Sequence, residues 1–380
     1  MPPLSLPRRR ALQSVAGLAA ATASLAWSQP SKTNPRGGDL AVAQIVDMSA
    51  AQQDVSKDLL IGARAAWQDF NARGGLRGHR VQHLTLEVDG SAASLQAALQ
   101  NVRDNPACLT LSATAGGVAA SQLTALLARE ALPIAHVAPW LQNASTSIDE
   151  RTFPIFASRQ EQIAHALKSL SSMGVTEVGA IYASPQDQTL YREDVERTAQ
   201  ALKLKLQSFP ATGDLQTLGQ RLTPGTPALL LFIGGTPELL QFTRGLQRQS
   251  RQRYVVALAD VNLQTLAQLG GGRHTPVIAT QPVPLVGASL PIVRAYRETL
   301  ARLFEEAPSP LSLAGFIAAR YTQAVLQGVD GPLTRPSVLA AFQRRAPVDL
   351  GGYRVSYSAQ HHGSSFVTQS MLTTDGRMVG

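Results

Sequence analysis

Several residue types and patterns are scarce in this 380-residue chain, and each scarcity excludes a class of protein. The single cysteine, Cys108, excludes an internal disulfide and a metal site built from several thiolates. Charged residues make up 16%, hydrophobic residues 44%, and no apolar run is long enough to cross a bilayer, which excludes disorder and polytopic membrane insertion. Aromatic residues make up only 5%, so we expect an aliphatic core, in two domains or one large one.

The excess of positive charge is modest. The chain has 34 Lys and Arg against 26 Asp and Glu, a formal net charge of +8. Three of the arginines, at 8–10, lie in a segment expected to be removed, which leaves 31 basic against 26 acidic residues, or +5. Because these charges form no concentrated stripe, we expect no nucleic acid partner.

Residues 1–28 have the parts of an export signal peptide in the required order. The arginines at 8–10 precede an apolar run from Ala11 to Leu25, and small residues at Ala26 and Ser28 suit a signal peptidase. The arginine pair resembles a twin-arginine signal, with Sec export as the alternative. No cysteine follows the apolar run, so we expect no lipid anchor.

After cleavage, the mature protein is expected to begin near Gln29 and to be soluble in the periplasm. Residues 29–37 are rich in Ser, Pro, Asn and Gly and read as a flexible lead-in.

Hydrophobic segments of strand length then alternate with segments of helical periodicity, which predicts parallel sheets covered on both faces. The alternation runs through strands at 40–46, 81–88, 109–113 and 132–137 and restarts with strands at 177–183, 205–209, 228–233, 254–259 and 277–279. We therefore expect an α/β protein of two doubly wound lobes. Helices are predicted at 290–305, 312–327 and 334–345, and alternation at 353–357 and 366–372 predicts a C-terminal β-hairpin.

Doubly wound sheets bind ligands at the carboxyl ends of their strands, where helix N-termini and backbone groups are exposed. The residues that follow the predicted strands are therefore the candidates for ligand binding. They are Ser49, Gly116, Gly117, Trp140, Asn143, Tyr182, Ser184, Gly235, Asp260 and Gln281.

Three of these positions admit two interpretations each. Gly116-Gly117 could present bare amides to an anion or form a tight turn. Trp140 could stack on a ligand or pack between the lobes. Asp260 could hold a ligand ammonium or cap a helix that begins near Asn262.

The chain carries no pattern typical of a metal centre or a catalytic site. His361-His362 lacks accompanying carboxylates or thiols, so we expect no metal and no other cofactor. Gly-x-Ser-x-Gly does not occur, and Ser184 has no evident histidine partner. We therefore expect a binding protein rather than an enzyme, with a ligand sensor of the same fold as the alternative.

Several blocks resemble one family, the periplasmic binding proteins of the branched-chain amino acid type. The stretch from Phe70 to His79, FNARGGLRGH, resembles the Asn-x-x-Gly-Gly-x-x-Gly segment that closes the first helix in that family. The family's carboxyl-terminal section is similar in order and spacing to blocks at 281–284, 312–320, 333–335 and 350–357. The resemblance covers about residues 40–378.

The resemblance implies the type I periplasmic binding fold, in which two lobes joined by three crossings close on a small ligand that passes to an ABC permease. By similarity, the first lobe comprises residues 38–153 and 285–355, and the second comprises 154–284 and 364–380. The protein is expected to be a monomer. Ser158 stands where relatives have an aromatic residue near the start of the second lobe, which makes it a further candidate.

The family's ligand contacts are altered at several positions. Ser49-Ala50 replaces a Ser-Gly, Gly116-Gly117 replaces a hydroxyl-bearing loop, and Ser184 opens a segment that departs from an Asp-x-x-Gly pattern. Within the broad class of amino acids, amides and small carboxylates, we expect leucine, isoleucine and valine to bind weakly. The expected ligand is a small carboxylate, amide or aromatic acid, with Ser49 and the Gly116-Gly117 amides on its polar end and Trp140 against its flat face.

Overall fold

The structure, a computed structural model, describes residues 40–141, 143–144, 148–357, 362–364 and 366–380. The predicted signal peptide and lead-in lie outside the described residues. The same is true of His361 and of the side chain of His362.

The first lobe is built on a five-stranded parallel sheet in the order β2-β1-β3-β4-β5. Its strands are β1 (Leu40–Asp47), β2 (Val81–Val88), β3 (Cys108–Ser112), β4 (Ala135–Val137) and β5 (Thr152–Phe153). Both strands β1 and β3 are buried on both faces, and most of their residues are apolar, as a strand covered on both sides requires; the buried polar exceptions are Gln44, Asp47, Thr110 and Ser112.

Six helices cover this sheet. They are α1 (Gln53–Ala72), α2 (Ala92–Asp104), α3 (Gly117–Glu130), α9 (Pro291–Leu303), α10 (Pro310–Gln327) and α11 (Arg335–Gln343). Helices α1, α9, α10 and α11 share one core cluster, and α2 and α3 share another with β1 and β3. Helices α1 and α10 approach so closely that a Cβ on Gly62 would collide with the Ser312 carbonyl and a Cβ on Gly315 with the Leu59 carbonyl.

The second lobe is built on a seven-stranded sheet in the order β15-β14-β10-β9-β8-β6-β7. Its parallel strands are β6 (Glu177–Tyr182), β7 (Lys205–Ser208), β8 (Leu229–Ile233), β9 (Tyr254–Ala257) and β10 (Val277–Gln281); β14 (Thr368–Leu372) and β15 (Met378–Val379) are antiparallel. Helices α4 (Arg159–Ser172) and α5 (Pro185–Ala201) pack in one of its core clusters. Helices α6 (Leu215–Arg221), α7 (Thr236–Leu246) and α8 (Leu263–Gln268) pack in the other.

The predicted fold class, two parallel-sheet α/β lobes, is therefore confirmed. The chain passes from the first sheet to the second after β5, returns after β10, and crosses once more before β14. The residue boundaries assigned to the lobes stay predictions.

A β-hairpin does end the chain, formed by β14 and β15, but the predicted pairing of 353–357 with 366–372 is wrong. Residues 354–357 form β12, which pairs with β11 (Val348–Asp349) and β13 (His362–Gly363) in a small separate sheet. Strand β14 instead pairs with β10 of the second lobe. Alternating hydrophobicity identifies a strand but carries no information about which distant strand it joins.

Candidate ligand-binding site

Helix α1 of the first lobe contacts the second lobe through two carboxylates one turn apart. Thr236 Oγ1 donates to Asp54 Oδ2 at 2.7 Å, and Asn262 Nδ2 donates to Asp58 Oδ2 at 3.2 Å. A Cβ on Gly235 would lie 3.9 Å from the Ala51 carbonyl oxygen. The loops that follow β1, β8 and β9 therefore face one another across the boundary of the lobes.

Asp58 accepts hydrogen bonds from both lobes. Burial raises its pKa, and the neighbouring Asp54 and Glu306 raise it further, whereas hydrogen bonds from Ser309 and Asn262 oppose the shift. Ser309 Oγ donates to the same Oδ2 at 2.6 Å, from within the first lobe. The contact is thus a carboxylate held by hydroxyl and amide donors rather than by a cation.

The first-lobe edge is organised around Asp47, the last residue of β1, whose surface is 2% exposed. Its Oδ1 accepts from the Ser49 amide at 2.9 Å. Gly116 has φ +96°, and a Cβ there would lie 2.7 Å from Asp47 Cβ and 3.2 Å from Oδ2. Glycine at 116 is therefore required both by its backbone conformation and by contact with Asp47.

This contact bears on the predicted anion site at Gly116-Gly117. Gly116 is the N-cap of α3 and Gly117 its first residue, so the predicted strand-to-helix turn is present. A carboxylate already lies against that turn, and no ion pair to Asp47 occurs among the described residues. Because like charges at close range repel, the geometry disfavours a ligand carboxylate at this position.

The second-lobe edge carries a buried ion cluster. Arg159, the first residue of α4, places Nη2 2.5 Å from Asp260 Oδ2 and Nη1 3.1 Å from Asp187 Oδ1. Its guanidinium carbon lies 4.7 Å from the centre of the Tyr191 ring. The Arg159 and Asp260 side chains are only 13% and 10% exposed, so water screens this pair little.

The protonation of the cluster follows from burial and charge. Burial disfavours the charged form of Arg159 and by itself would lower the pKa of the guanidinium. The nearby Asp260, Tyr191 and Asp187 have the larger opposite effect, so the pKa of Arg159 is raised. Burial raises the pKa of Asp260, against the opposing effect of Arg159. Arg159 therefore stays protonated. It pairs with Asp260, the carboxylate that the sequence analysis considered as a partner for a ligand ammonium.

Asp260 also does not cap the helix that follows it, so that interpretation is wrong. Asn262 Oδ1 accepts from the Gln264 amide at 3.1 Å and from the Thr265 amide at 3.2 Å and is the N-cap of α8. The predicted start of that helix near Asn262 is confirmed. An Asn side chain reaches the free amides of its own first turn, whereas Asp260 is turned toward Arg159.

Ser158, Ser184 and Gly235 are all helix N-caps. Ser158 forms a capping box with Glu161, and Ser184 Oγ accepts from the Asp187 amide at 3.1 Å. Gly235 precedes α7 without a side chain. The two serine hydroxyls are engaged locally, so the structure gives them a helix-starting role.

Trp140 lines a narrow apolar cavity at the boundary of the lobes, whose volume of about 20 Å³ holds about one water molecule, so a ligand needs the lobes to separate before it can enter. Its side chain is 2% exposed and meets Phe156 edge to face, with ring centroids 5.3 Å apart. Its indole Nε1 is buried without a hydrogen-bond partner. The cavity is also lined by Ala259, Val261, Asn262, Gln281, Pro282, Val283, Ser309, Leu311 and Met378. Trp140 thus packs in the core and forms a wall of the cavity.

The three remaining candidates lie in different places in the structure. Gln281, at the end of β10, lines the same cavity. Asn143 Oδ1 accepts from Gln160 Nε2 at 3.0 Å. Tyr182 is fully buried in the second-lobe core beside α4 and α5, so the structure does not bring it to the boundary; burial raises its pKa to about 12.

Sequence reasoning missed Arg159, Asp54, Asp58 and Ser309. Arg159 could have been noticed because a cation in the first turn of a helix opposes the helix dipole and needs another reason to be there. Asp54 and Asp58, one helical turn apart, lie on the same face of α1. Nothing in the sequence indicated that Ser309 would meet Asp58, 251 residues away.

No described helix is long and apolar enough to span a membrane. No group of three or more His, Cys, Asp or Glu side chains in the part of the chain that the structure describes could hold a metal ion.

Comparisons with known proteins agree with this architecture. The family model described as "Periplasmic binding protein" matches residues 39–374, whereas a comparison with curated proteins gives no match. An extracellular ligand-binding receptor from Verminephrobacter eiseniae ef01-2 is 17% identical, with a TM-score of 0.81 over 90% of this chain and 100% of that one.

Two other solved structures are similar. A substrate-binding periplasmic protein from Ralstonia solanacearum is 20% identical, with a TM-score of 0.78 over 90% of this chain and 99% of that one. A branched-chain amino acid ABC transporter protein from Thermus thermophilus, solved with bound valine, is 13% identical, with a TM-score of 0.76 over 90% and 95%. The resemblance inferred from the sequence is confirmed, and the chain belongs to the periplasmic binding protein family.

Proposed function

We propose that the protein is a periplasmic solute-binding protein that captures a small ligand between its two lobes and delivers it to an ABC permease. The observation that carries the proposal is the pair of hydrogen bonds from Thr236 and Asn262 to Asp54 and Asp58. These bonds join loops at the carboxyl ends of strands in one lobe to a helix of the other. A pair of lobes bridged in this way can close over a ligand and open again.

The bridging groups suit a reversible contact. A neutral hydrogen bond contributes roughly 0.5–1.5 kcal/mol, and one to a charged group about 1.5–3 kcal/mol. A few such bonds leave open and closed states close in free energy, so a ligand that binds the closed state better shifts the population toward it.

The cavity beside Trp140 is the place we propose for the apolar part of the ligand. Ligand pockets combine apolar walls with a few polar groups that fix orientation, and here Gln281 and Trp140 Nε1, which has no partner among the described residues, are such groups. The indole N–H requires an acceptor, which favours a ligand with a carbonyl or amide oxygen.

Several structural neighbours support transport of small solutes. A branched-chain amino acid transporter substrate-binding protein from Streptococcus pneumoniae holds isoleucine, the Thermus thermophilus transporter protein holds valine, and a protein from Thermomonospora curvata is a fatty acid ABC transporter substrate-binding protein. They are 12% or 13% identical to this chain, which is too distant for their ligands to identify its ligand.

Native mass spectrometry of the protein purified from its own periplasm tests the proposal. We expect a small molecule to accompany the protein, and small-angle scattering to give a smaller radius of gyration when that molecule is added back to stripped protein. Trp140→Phe should weaken its binding, whereas Trp67→Phe, in the first-lobe core, should not. A radius and a tryptophan emission that stay constant through a broad library of amino acids, amides and small acids would overturn the proposal.

Export belongs to the same proposal and is tested separately. N-terminal sequencing of periplasmic material should give a start near Gln29, and replacement of Arg8 and Arg9 by lysine should reduce export if the twin-arginine route is used. A cytoplasmic product that keeps residues 8–10 would contradict periplasmic capture.

A further inference from the structure

We infer that the protein carries its own charges at both polar edges of its cleft, Asp47 on the first lobe and Arg159 on the second, and that these two residues select an uncharged ligand over a zwitterionic one. The inference rests on the proposed function and names the ligand class of the same site. It makes Asp47 and Arg159 specificity-determining residues.

The first-lobe edge offers the geometry of an anion site, but a carboxylate of the protein lies beside it. A turn that enters a helix through glycine exposes backbone amides where negative charge is favoured. The Asp47 side chain lies against the Gly116 turn, and its Oδ1 accepts from the backbone amide of Ser49, two residues further along the chain. A ligand carboxylate placed there would meet a charge of its own sign.

The second-lobe edge has a carboxylate that could bind a ligand cation, but a cation of the protein is already paired with it. Asp260 follows β9 at the edge that faces the first lobe, where a carboxylate could receive an ammonium group. Arg159 already supplies the cation, and Asp187 and the Tyr191 ring hold it in place from its other sides. A ligand ammonium would have to displace a guanidinium that has three partners.

The side chains that line the cavity are neutral. Asn262 and Ser309 already donate to Asp58, so the polar groups beside the apolar walls that remain for a ligand are the Gln281 amide and the Trp140 indole N–H. This set matches a small molecule with a branched or flat apolar part and an uncharged carbonyl or amide. The carboxylate and aromatic acid expected from the sequence fit it less well than the amide does.

Four probes that share a branched apolar group and differ in charge test the inference by calorimetric titration. They are L-valine, isovalerate, isobutylamine and isovaleramide, which are zwitterionic, anionic, cationic and neutral. Wild-type protein should bind isovaleramide at least about tenfold more tightly than any charged probe, because an ion forced against a like charge in a buried site loses affinity.

Variants should change this preference in a charge-specific way. Asp47→Ala should gain about tenfold for isovalerate, Arg159→Gln about tenfold for isobutylamine, and the double variant should gain for L-valine. Asp104→Ala and Arg151→Gln remove charges elsewhere in the first lobe and should leave the order of the four probes unchanged. Arg159→Gln leaves two carboxylates without their cation and could disturb folding, so Arg159→Lys serves as a second variant. Because lysine keeps the positive charge, this variant should still exclude isobutylamine. Circular dichroism identifies the variants that are folded.

The outcomes separate the inference from the function. Wild-type protein that binds L-valine as tightly as isovaleramide would overturn the inference and leave the solute-binding function standing. Folded variants that keep the wild-type order of probes, or that bind none of them, would also overturn it, since that result assigns Asp47 and Arg159 a structural role only. If the proposed solute-binding function were wrong, the radius of gyration and the tryptophan emission would both stay constant with every compound of the ligand library.

Discussion

Two sets of carboxylates lie at the boundary of the lobes, and they are satisfied in different ways. Asp187 and Asp260 are neutralised within the second lobe by Arg159, so their partners stay in place whatever the distance between the lobes. Asp54 and Asp58 extend from the first lobe and take donors from Thr236 and Asn262 of the second. The first set is a fixed feature of one lobe, whereas the second forms bonds that exist only when the lobes meet.

The contrast assigns different roles to residues of the same chemistry. A buried ion pair is costly to break because the remaining charge has no partner, which suits a feature that must not change during a binding cycle. Hydrogen bonds from neutral donors can be exchanged for bonds to water at little cost, which suits a contact that must open. The predictions below test this difference, from the largest expected effect to the smallest.

Replacement of Arg159 by methionine should have the largest effect. It leaves two buried carboxylates without their cation and should lower the free energy of unfolding by about 3–5 kcal/mol, as measured by urea denaturation. Arg192→Met, which breaks an exposed ion pair with Glu196 on α5 of the same lobe, is the matched control and should leave stability unchanged. Equal stability of the two variants would show that the cluster is not the fixed element described here.

Replacement of Asp58 by alanine should act on closure rather than on folding. Alanine removes the oxygen that accepts from Asn262 and Ser309, and the closed state should lose about 1–2 kcal/mol relative to the open one. Distance distributions between spin labels on the two lobes should shift toward larger separation. If the distance distribution did not change, the contact between Asp58 and Asn262 would not contribute to the equilibrium between open and closed lobes.

Asp54→Asn should have a smaller effect on the same measurement. An asparagine carbonyl can still accept from Thr236 Oγ1, so only the contribution of the charge is lost, roughly 0.5–1 kcal/mol. A shift larger than that of Asp58→Ala would reverse the relative importance of the two carboxylates.

Closure should also depend weakly on pH through Asp58. Burial raises its pKa above the ordinary 3.8, with Asp54 and Glu306 contributing in the same direction. The closed state therefore binds the proton more tightly than an open state in which this carboxylate is hydrated, so closure weakens as pH rises from about 3.8 through the raised pKa.

The same spin-label distances should report this trend, and Asp58→Asn should remove it. Unfolding is not the appropriate measure, because buried His83 and His136, whose pKa values burial lowers to about 3, act in the opposite direction on global stability. A trend that persists in Asp58→Asn would assign the dependence to another group.

Local patterns in the sequence predicted most of the fold. The parallel strands of both lobes and the long helices occur where hydrophobic periodicity indicated, because side chains that share a face recur at fixed spacing. Gly116 was also placed correctly at the junction of a strand and a helix, although the sequence left its role there open. Ser158 was assigned to ligand binding although Glu161 follows it in the spacing of a capping box, a local signal that was available and not used.

Contacts between residues that are far apart in the sequence could not be predicted from local sequence patterns. Arg159 meets Asp260 across 101 residues and Asn262 meets Asp58 across 204, and each pair exists only because separate strands end at the same edge. The pairing of β14 with β10, rather than with the nearby β12, has the same origin.

The sequence alone determined which segments form helices and strands, and hence two parallel-sheet lobes, since periodicity, capping and turn conformation act over a few residues. Only the tertiary structure decided which charges neutralise each other and which bonds cross between the lobes. The physical reason is that electrostatic and hydrogen-bond energies depend on distance and burial, which the order of elements in the sheets sets and the spacing of residues along the chain does not. Asp260 shows this: its position after β9 could be read from the sequence, but its engagement by Arg159 could not.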